Sequence, residues 1–432
     1  MSIRTNLASS TLSVSQRRYA LGILAVVYMF NFIDRQILAI LLPAIKSEFD
    51  VSDTVLGLLT GTAFALFYVS LGVPVARYAD RANRRNLIAW AVAIWSGMTA
   101  VSGLVANVWQ LALARVGVGI GEAGCSPPAH SMIADMYPPE KRATAMGVYT
   151  LGISAGIMLA YLAGGWIAEN VGWRQAFLAV GLPGILLALI VRFTVREPSR
   201  GASEQRTDSG EQPPLIEVAR FLLSRKSFIF MAVGAGLSSW VGYSIIFNMP
   251  NFLVRSFDVG TASIGIWLGL IYGIAGGLGF YLGGVFVDRI GRHSQRSALA
   301  FLAGATIIAA GFNAAVFLSS SLLWCLLLLI IPSVISNFYL APVLGQTQSL
   351  VSLRMRAVAS SLVLLIINVI ALLIGQPVTG AISDYLAANH GAESMRYALL
   401  LVSVLGFPTA AYCYWRARLS ITGDLQRATE RD

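Results

Sequence analysis

Charged residues are scarce in this chain: of its 432 residues only 12% are Asp, Glu, Lys or Arg, while 56% are hydrophobic. Such a composition excludes an ordinary soluble domain and indicates a protein that lies in a membrane. Only three cysteines occur, at Cys125, Cys325 and Cys413, each in an apolar stretch and without Cys-x-x-Cys spacing. This pattern excludes a disulfide framework and a cysteine metal motif, so we expect no metal site.

Motifs of catalysis are also missing from the sequence. It has no Gly-x-x-x-x-Gly-Lys-Ser/Thr loop for a nucleoside triphosphate, and no nucleophile with a base or acid pair at reaction spacing. We therefore expect neither an ATP-driven pump nor an enzyme, and no cofactor other than protons as a coupling ion. No Asn-x-Ser/Thr glycosylation site occurs, which favours a bacterial inner membrane over a eukaryotic cell surface.

Long apolar stretches occupy most of the chain. Crossing the hydrocarbon core of a bilayer takes about 20 apolar residues. Stretches of about that length lie near 19–45, 53–76, 87–106, 108–135, 143–168, 173–195, 227–254, 262–287, 297–318, 322–350, 357–383 and 397–415. We therefore predict an all-α polytopic membrane protein with twelve transmembrane helices, surrounded by lipid and expected to act as a monomer.

Positive charge is distributed unevenly over the predicted loops. If the N-terminus is cytoplasmic, only Lys46, Arg174, Arg255 and Arg396 of the 31 basic residues lie in loops on the other side. By the positive-inside rule, both termini are then cytoplasmic. The same distribution accounts for the net charge of +10 without a nucleic-acid partner.

A long polar segment divides the predicted helices into six and six. Its Pro-rich and Ser-rich composition is typical of a flexible linker. We predict an N-terminal bundle at 1–195, a cytoplasmic linker at 196–226 and a C-terminal bundle at 227–432. Near the end of the linker the sequence allows either a short amphipathic helix or a plain tether.

The two halves resemble each other. The pair Asp80-Arg81 after the second predicted helix recurs as Asp288-Arg289 after the eighth, 208 residues later. A repeated half predicts two bundles that rock against each other around a central cavity, which is the basis of alternating access.

Two acids and two bases are buried in the predicted helices of the first half. Asp34 and Arg35 follow Asn31 in the first helix, while Arg115 and Glu122 lie seven residues apart on one face of the fourth. Charges at this depth cost several kcal/mol unless they are paired or hydrated, so we interpret the four as one site. A guanidinium that moves between acids would switch them between proton-holding and proton-releasing states; alternatively the pairs only hold two helices together.

Two motifs give a specific resemblance. The loop after the second helix reads Asp80-Arg81-Ala82-Asn83-Arg84, with an echo at Asp288-Arg289, and the fourth helix carries Arg115-x-x-x-Gly119-x-Gly121. Both resemble signature motifs of the major facilitator superfamily. Asp34-Arg35, the loop with Asn83 where most members have Gly, and Gly121-Glu122-Ala123 together resemble the Spinster-like transporters, although anion:cation symporters share similar motifs.

This resemblance implies roles for several residues. It implies proton coupling at Asp34, to which we add Glu122 of the same cluster. From the residues themselves we assign substrate or charge-pair roles to Arg35 and Arg115, because arginine stays charged and can bind an anionic group, and to Asn31 on the same helix face. It also implies that acids of the repeated loops pair with arginines and helix ends to close the cytoplasmic side. The gating residues are Asp80, Arg81, Arg142, Asp288, Arg289 and Arg356.

The second half has no charged residue inside its predicted helices. Its cavity wall would consist of weakly polar side chains, namely Tyr243, Asn248, Tyr272, Asn337, Tyr339 and Asn368. This contrast favours an amphipathic substrate with an anionic or zwitterionic head, and Spinster-like transporters carry lysolipids or sphingolipid phosphates. The alternatives are a symporter for small organic anions and a lipid receptor that does not transport.

Overall fold

The computed structural model describes residues 12–79, 81–200, 215–291, 294–351 and 355–429, and in these ranges every regular element is helical. The helices before the linker are α1 (Val14–Phe49), α2 (Asp53–Gly57), α3 (Ala63–Ala79), α4 (Arg84–Ser102), α5 (Val108–Glu122), α6 (Ser126–Met136), α7 (Pro139–Asn170) and α8 (Trp173–Thr194). A π turn at Leu58–Thr62 makes α2 and α3 one continuous stretch. We call this part of the chain the N-terminal half.

The C-terminal half, in which we include the end of the linker, begins with a short helix and continues with longer ones. Its helices are α9 (Leu215–Leu223), α10 (Lys226–Phe257), α11 (Thr261–Leu270), α12 (Gly276–Gly291), α13 (Gln295–Leu318), α14 (Leu322–Ile335), α15 (Leu340–Ser349), α16 (Arg356–Asn368), α17 (Gly375–His390) and α18 (Ser394–Thr429). π turns at Ile271–Ala275 and Val369–Ile374 join α11 to α12 and α16 to α17.

Many of these helices are apolar along their length. Within the described ranges, eight helical stretches are long and apolar enough to cross a membrane, and one of them, Val358–Arg427, contains two of the predicted spans. The predicted spans near 87–106, 108–135 and 322–350 correspond to α4, to α5 with α6, and to α14 with α15. The protein is thus an all-helical integral membrane protein, while the number of twelve crossings stays a prediction.

The predicted span at 108–135 is not a single helix. Helix α5 ends at Glu122 and α6 begins at Ser126, with Pro127 and Pro128 in its first turn. Because proline has no backbone N–H to donate to the preceding turn, the helix must restart there. This break lies directly after Glu122.

The most extensive helix packing lies within each half, with α1 along α7, α4 along α8, and α10 and α13 along α18. The halves meet where α7 contacts α11, α2 contacts α17 and α1 contacts α10. The ends of α1, α7, α10 and α17 and the starts of α2 and α11 lie at one face of the molecule. We call it the distal face. The opposite face, at which α1 begins, is the linker face.

The end of the linker forms a helix. Helix α9 covers Leu215–Leu223, and its Val218 and Leu222 are fully buried in the core of the C-terminal half. Ile216 and Leu223 are exposed on the other side. Of the two alternatives left open by the sequence, the described part of the segment is the amphipathic helix.

Candidate functional site

An ion pair joins the first helix to the fourth predicted span. Nε of Arg35 on α1 donates a hydrogen bond of 2.5 Å to Oε2 of Glu122 on α5. The Glu122 side chain is fully buried and that of Arg35 is 11% exposed. The structure therefore brings together one base and one acid that the sequence placed 87 residues apart.

Aromatic rings surround the guanidinium of Arg35. Its central carbon lies 4.7 Å from the ring centre of Tyr68, 4.9 Å from Phe64 and 5.4 Å from Phe32. Each contact is within cation–π range, and such contacts are worth more where water is excluded. Three aromatic rings thus enclose the guanidinium of Arg35, and only a small part of this side chain remains exposed.

The second base, Arg115, lies next to the same rings. Its Nη1 donates to the backbone carbonyl of Asp34 at 3.3 Å, and its guanidinium is 5.8 Å from the ring centre of Phe64. Arg115 also interacts electrostatically with Glu122 and Asp34. All four predicted charges therefore belong to one cluster. Among these four, the direct ion pair in the described residues is that of Arg35 and Glu122.

Asp34 is turned away from this ion pair. The residue is fully buried and neither oxygen of its carboxylate has a hydrogen-bond partner among the described residues. Trp95 and Thr99 on α4 are its polar neighbours. Adjacent residues of a helix project about 100° apart, so Asp34 and Arg35 necessarily face different neighbours. Asn31 is also fully buried and lies beside Glu122. Neither atom of its side-chain amide has a hydrogen-bond partner among the described residues.

Close helix packing positions this cluster. Gly121 faces α4, and a Cβ at Gly121 would lie only 2.6 Å from the backbone nitrogen of Trp95. A larger residue would force α5 away from α4. Glycine at this position therefore allows α5 to approach closely, while Glu122 points in another direction toward Arg35.

One predicted residue of the second half joins the site. Tyr243 on α10 interacts electrostatically with Arg35 across the two halves, and its ring stacks on Phe247 with centres 5.7 Å apart. Arg35 is thus bordered by Glu122 and Tyr68 of its own half and by Tyr243 of the other. This placement puts the cation between the two halves.

The other predicted lining residues of the second half have mainly local contacts. The amides of Asn248 and Asn368 donate to carbonyls of their own helices, and that of Asn337, in the turn after α14, donates to the carbonyls of Ser333 and Gly276. Tyr272 packs against Tyr161 of the N-terminal half, with ring centres 5.6 Å apart. Tyr339 is half-buried beside Ser239.

The predicted gating residues are only partly visible. Asp80 lies outside the described residues, as do the side chains of Asp288 and Arg356. Arg142 donates to the carbonyls of Ala134 and Tyr137 at the end of α6, and Arg81 and Arg289 are exposed. Arg142 therefore binds a helix end, and the pairing of the acids stays a prediction.

Sequence reasoning missed one buried cation near the linker face. Arg84 is fully buried, with Nε 2.7 Å from Glu197, Nη1 2.8 Å from the hydroxyl of Ser131 and Nη2 2.8 Å from the carbonyl of Pro198. Asp135 forms a second ion pair with it. Arg84 thus ties the start of α4 to the end of α6 and to the chain after α8.

A second polar cluster that the sequence did not reveal lies at the distal face. Asp53 at the start of α2 is 2% exposed and receives two hydrogen bonds from Arg255 of α10, at 2.6 and 2.8 Å. Lys46 also pairs with it, and the Ser383 hydroxyl donates to it at 2.7 Å. These residues stand at the ends of apolar stretches, where the sequence suggests solvent-exposed loops.

Comparison with known proteins gives consistent matches. The Major Facilitator Superfamily model matches residues 24–375. An MFS-type efflux pump of Mycolicibacterium smegmatis is 33% identical over 410 residues, which covers 94% of both chains. Protein spinster homolog 1 of Homo sapiens is 31% identical over 304 residues, and this match covers 66% of the present chain but only 57% of the human protein.

Solved structures show the same relationship. The crystal structure of a bacterial homologue of the human lysosomal transporter Spinster, inward-facing and unoccupied, superposes with a TM-score of 0.86 at 32% identity, covering 96% of this chain and 99% of that one. The inward-facing, occupied structure of such a homologue gives 0.76 at 31% identity. A nucleoside transporter at 13% identity, with a TM-score of 0.72, shares the fold.

Proposed function

Because this chain belongs to the major facilitator superfamily and is a Spinster-like transporter, we propose that it moves an amphipathic, lysolipid- or sphingolipid-like substrate by proton-coupled alternating access. The single observation that carries the proposal is the buried ion pair of Arg35 and Glu122. Buried ion pairs seldom stabilise a protein more than apolar packing of the same volume would. Their presence between two helices, beside a second acid and a second base, indicates a role beyond holding the helices together.

Proton coupling follows from the number of charges. Arg35 and Arg115 stay charged at any accessible pH, so only Asp34 and Glu122 can gain or lose a proton. When Arg35 binds Glu122, it favours the ionised form of that acid. A substrate anion that draws Arg35 away would leave Glu122 as an unpaired buried charge and thereby favour its protonation. Asp34, which has no hydrogen-bond partner in the described residues, is the second proton-binding group that we propose.

The surroundings of Arg35 support an amphipathic substrate. A cation beside Phe32, Phe64 and Tyr68 offers charge for a phosphate or carboxylate and aromatic surface for adjoining hydrocarbon. Tyr243 adds a hydrogen-bonding group from the other half. We propose that Asn31, Arg35 and Arg115 recognise the head group, and that the weakly polar C-terminal half accommodates the tail.

The arrangement of the halves supports alternating access. Hydrogen bonds between them cluster at the distal face, as between Asp53 and Arg255. We propose twelve crossings in two bundles at 1–195 and 227–432, with both termini and the linker face in the cytoplasm and the present state open to that side. We further propose a monomer in a bacterial inner membrane, with protons in place of any bound cofactor.

Uptake into liposomes tests this function. Purified protein is reconstituted, and the influx of a labelled lysophospholipid is measured with and without an imposed pH gradient. We expect the gradient to stimulate influx in the wild type and to have no effect in Asp34→Asn. Asp50→Asn is the matched control: it makes the same change on an exposed residue that ends α1 in a left-handed conformation, at φ 47°, which Asn tolerates.

Other outcomes would favour other functions. If influx ignores the gradient and Asp34→Asn transports normally, proton coupling at Asp34 is refuted. The two arginines of the cluster, Arg35 and Arg115, favour a second candidate, a symporter for small organic anions. Influx of a labelled organic anion without lysophospholipid influx would support it. Binding of the lipid without any flux would instead indicate a receptor.

A further inference from the structure

Helix α2 begins at the distal face, and an acid of the opposite half caps it. Oδ1 of Asp384 on α17 accepts the backbone N–H of Asp53 at 2.8 Å. Its Oδ2 accepts the N–H of Thr54 at 2.8 Å and the Thr54 hydroxyl at 2.5 Å. The first N–H groups of a helix have no partner within the helix, and a carboxylate there also meets the positive end of the helix dipole. Asp384 thus caps the N-terminus of a helix that belongs to the other half.

Helix α11 has the reciprocal arrangement. Oε2 of Glu169, at the end of α7, accepts the backbone N–H of Ala262 at 2.7 Å and lies 3.5 Å from the Thr261 hydroxyl. Gly260 precedes the helix, and a Cβ there would lie 2.6 Å from the Glu169 carboxylate. Glycine at this position therefore leaves room for the acid. Here an acid of the N-terminal half caps the N-terminus of a helix of the C-terminal half.

The internal repeat relates the two capped helices. Phe49-Asp50-Val51 leads into α2, and Phe257-Asp258-Val259 leads into α11 after the same 208 residues that separate the two Asp-Arg loops. Asp50 and Asp258 are also the non-glycine residues with positive φ in the described ranges, at 47° and 51°. The two capped helices thus occupy equivalent positions in the repeat, and in each case the capping acid comes from the opposite half.

We propose that these two reciprocal carboxylate caps are the latch that keeps the distal face closed, and that opening this face breaks both. The inference rests on the alternating access proposed above. Separation of the halves would leave the first N–H groups of α2 and α11 without their acceptors. It would also separate Asp53 from Arg255, which adds an ion pair to the same closed state.

Another acid of the distal face binds within its own half and supplies the control. Glu48 on α1 accepts from the indole N–H of Trp173 and from Arg174, each at 2.7 Å, and both partners belong to the N-terminal half. Opening the distal face leaves these contacts intact. Glu48→Gln therefore matches Glu169→Gln in chemistry and location, but should not alter the latch.

The experiment measures the distance between spin labels on the two halves. Labels are placed at Ala106→Cys and Ser320→Cys, which are exposed in loops at the distal face outside the interface. The natural cysteines Cys125, Cys325 and Cys413 are buried and free, so that labelling is directed to the new sites. Double electron–electron resonance then gives the populations of the open and closed distal face in the purified, full-length protein.

Asp384→Asn and Glu169→Gln keep an oxygen that can accept a hydrogen bond but remove the negative charge at the helix N-terminus, so we expect each to raise the ratio of open to closed by up to about five-fold. The double variant should raise it by up to about 25-fold, since the caps act on different helices. Glu48→Gln should leave the ratio unchanged. Comparable thermal unfolding of all variants excludes misfolding as the cause.

Several results would overturn the proposal. If both cap variants leave the ratio as in the wild type, or if Glu48→Gln raises it as much as they do, the caps are not the latch. A wild type that shows one distance at every pH, with and without lysophospholipid, would contradict alternating access itself. A wild type with two distances that the cap variants do not redistribute would refute the latch alone.

Discussion

The ion pair of Arg35 and Glu122 gives a quantitative prediction for stability. Arg35→Gln leaves a fully buried carboxylate without its cation, and breaking a buried pair from one side costs about 3–5 kcal/mol. Glu122→Gln leaves Arg35 in contact with three aromatic rings and keeps an oxygen that can accept a hydrogen bond. We therefore expect the smaller cost for Glu122→Gln, about 1–3 kcal/mol.

The double variant separates the energy of the interaction between Arg35 and Glu122 from the effects of each single substitution on its surroundings. Arg35→Gln with Glu122→Gln places two neutral amides where the charges stood, and these can bond to each other. Replacing both members of a buried pair is often nearly neutral, so we expect the double variant to lie within about 1 kcal/mol of the wild type. Transport should nevertheless be lost, because neither a proton-binding acid nor a mobile cation remains at this position.

Unfolding by SDS in mixed micelles, at several pH values, measures these free energies. In Arg35→Gln the remaining acid becomes neutral when it binds a proton, so the destabilisation should shrink as the pH falls. The double variant has no such group and should show no corresponding pH dependence. A coupling energy below about 0.5 kcal/mol in the double-mutant cycle would refute the reasoning, because contacting charges in one network couple more strongly. Equal pH dependence in both variants would refute it as well.

Two further predictions concern the packing of α4. Arg84→Met removes the shared partner of Asp135 and Glu197 and should lower the free energy of unfolding by about 3 kcal/mol, as measured by the same SDS assay. Gly121→Ala should destabilise by about 1–3 kcal/mol because its Cβ would meet the backbone of α4. Gly97→Ala, which meets nothing within 4 Å, should not destabilise, and an equal loss in both glycine variants would contradict the packing argument.

Helical periodicity predicted that helices one and four would bring their charges together, and the structure shows them in one cluster. It could not predict which acid binds which base. Asp34 and Arg35 are neighbours in the sequence, yet they project in different directions, toward α4 and toward α5 respectively. The choice depends on the rotation of α1 about its own axis, and contacts with several other helices fix that rotation.

The charge cluster at the distal face could not be predicted in the same way. Asp53, Arg255 and Asp384 stand at the limits of apolar stretches, where the sequence alone suggests loops in water. Asp53 is buried, and Arg255 and Asp384 are half-buried, because residues about 200 and 330 positions apart meet at the distal face. Hydropathy describes each segment separately and carries no information on such contacts between the halves.

The internal repeat does carry part of this information. Arg35 and Tyr243 are 208 residues apart, as are Asp50 and Asp258, so they occupy equivalent positions on α1 and α10. Two residues related by a two-fold axis can face each other only near that axis, and Arg35 does interact with Tyr243. The repeat therefore places Arg35 at the centre of the molecule, between the halves. There its guanidinium has Glu122 on one side and the phenol of Tyr243 on the other, so that the alternating access proposed above would change the partners of this one cation.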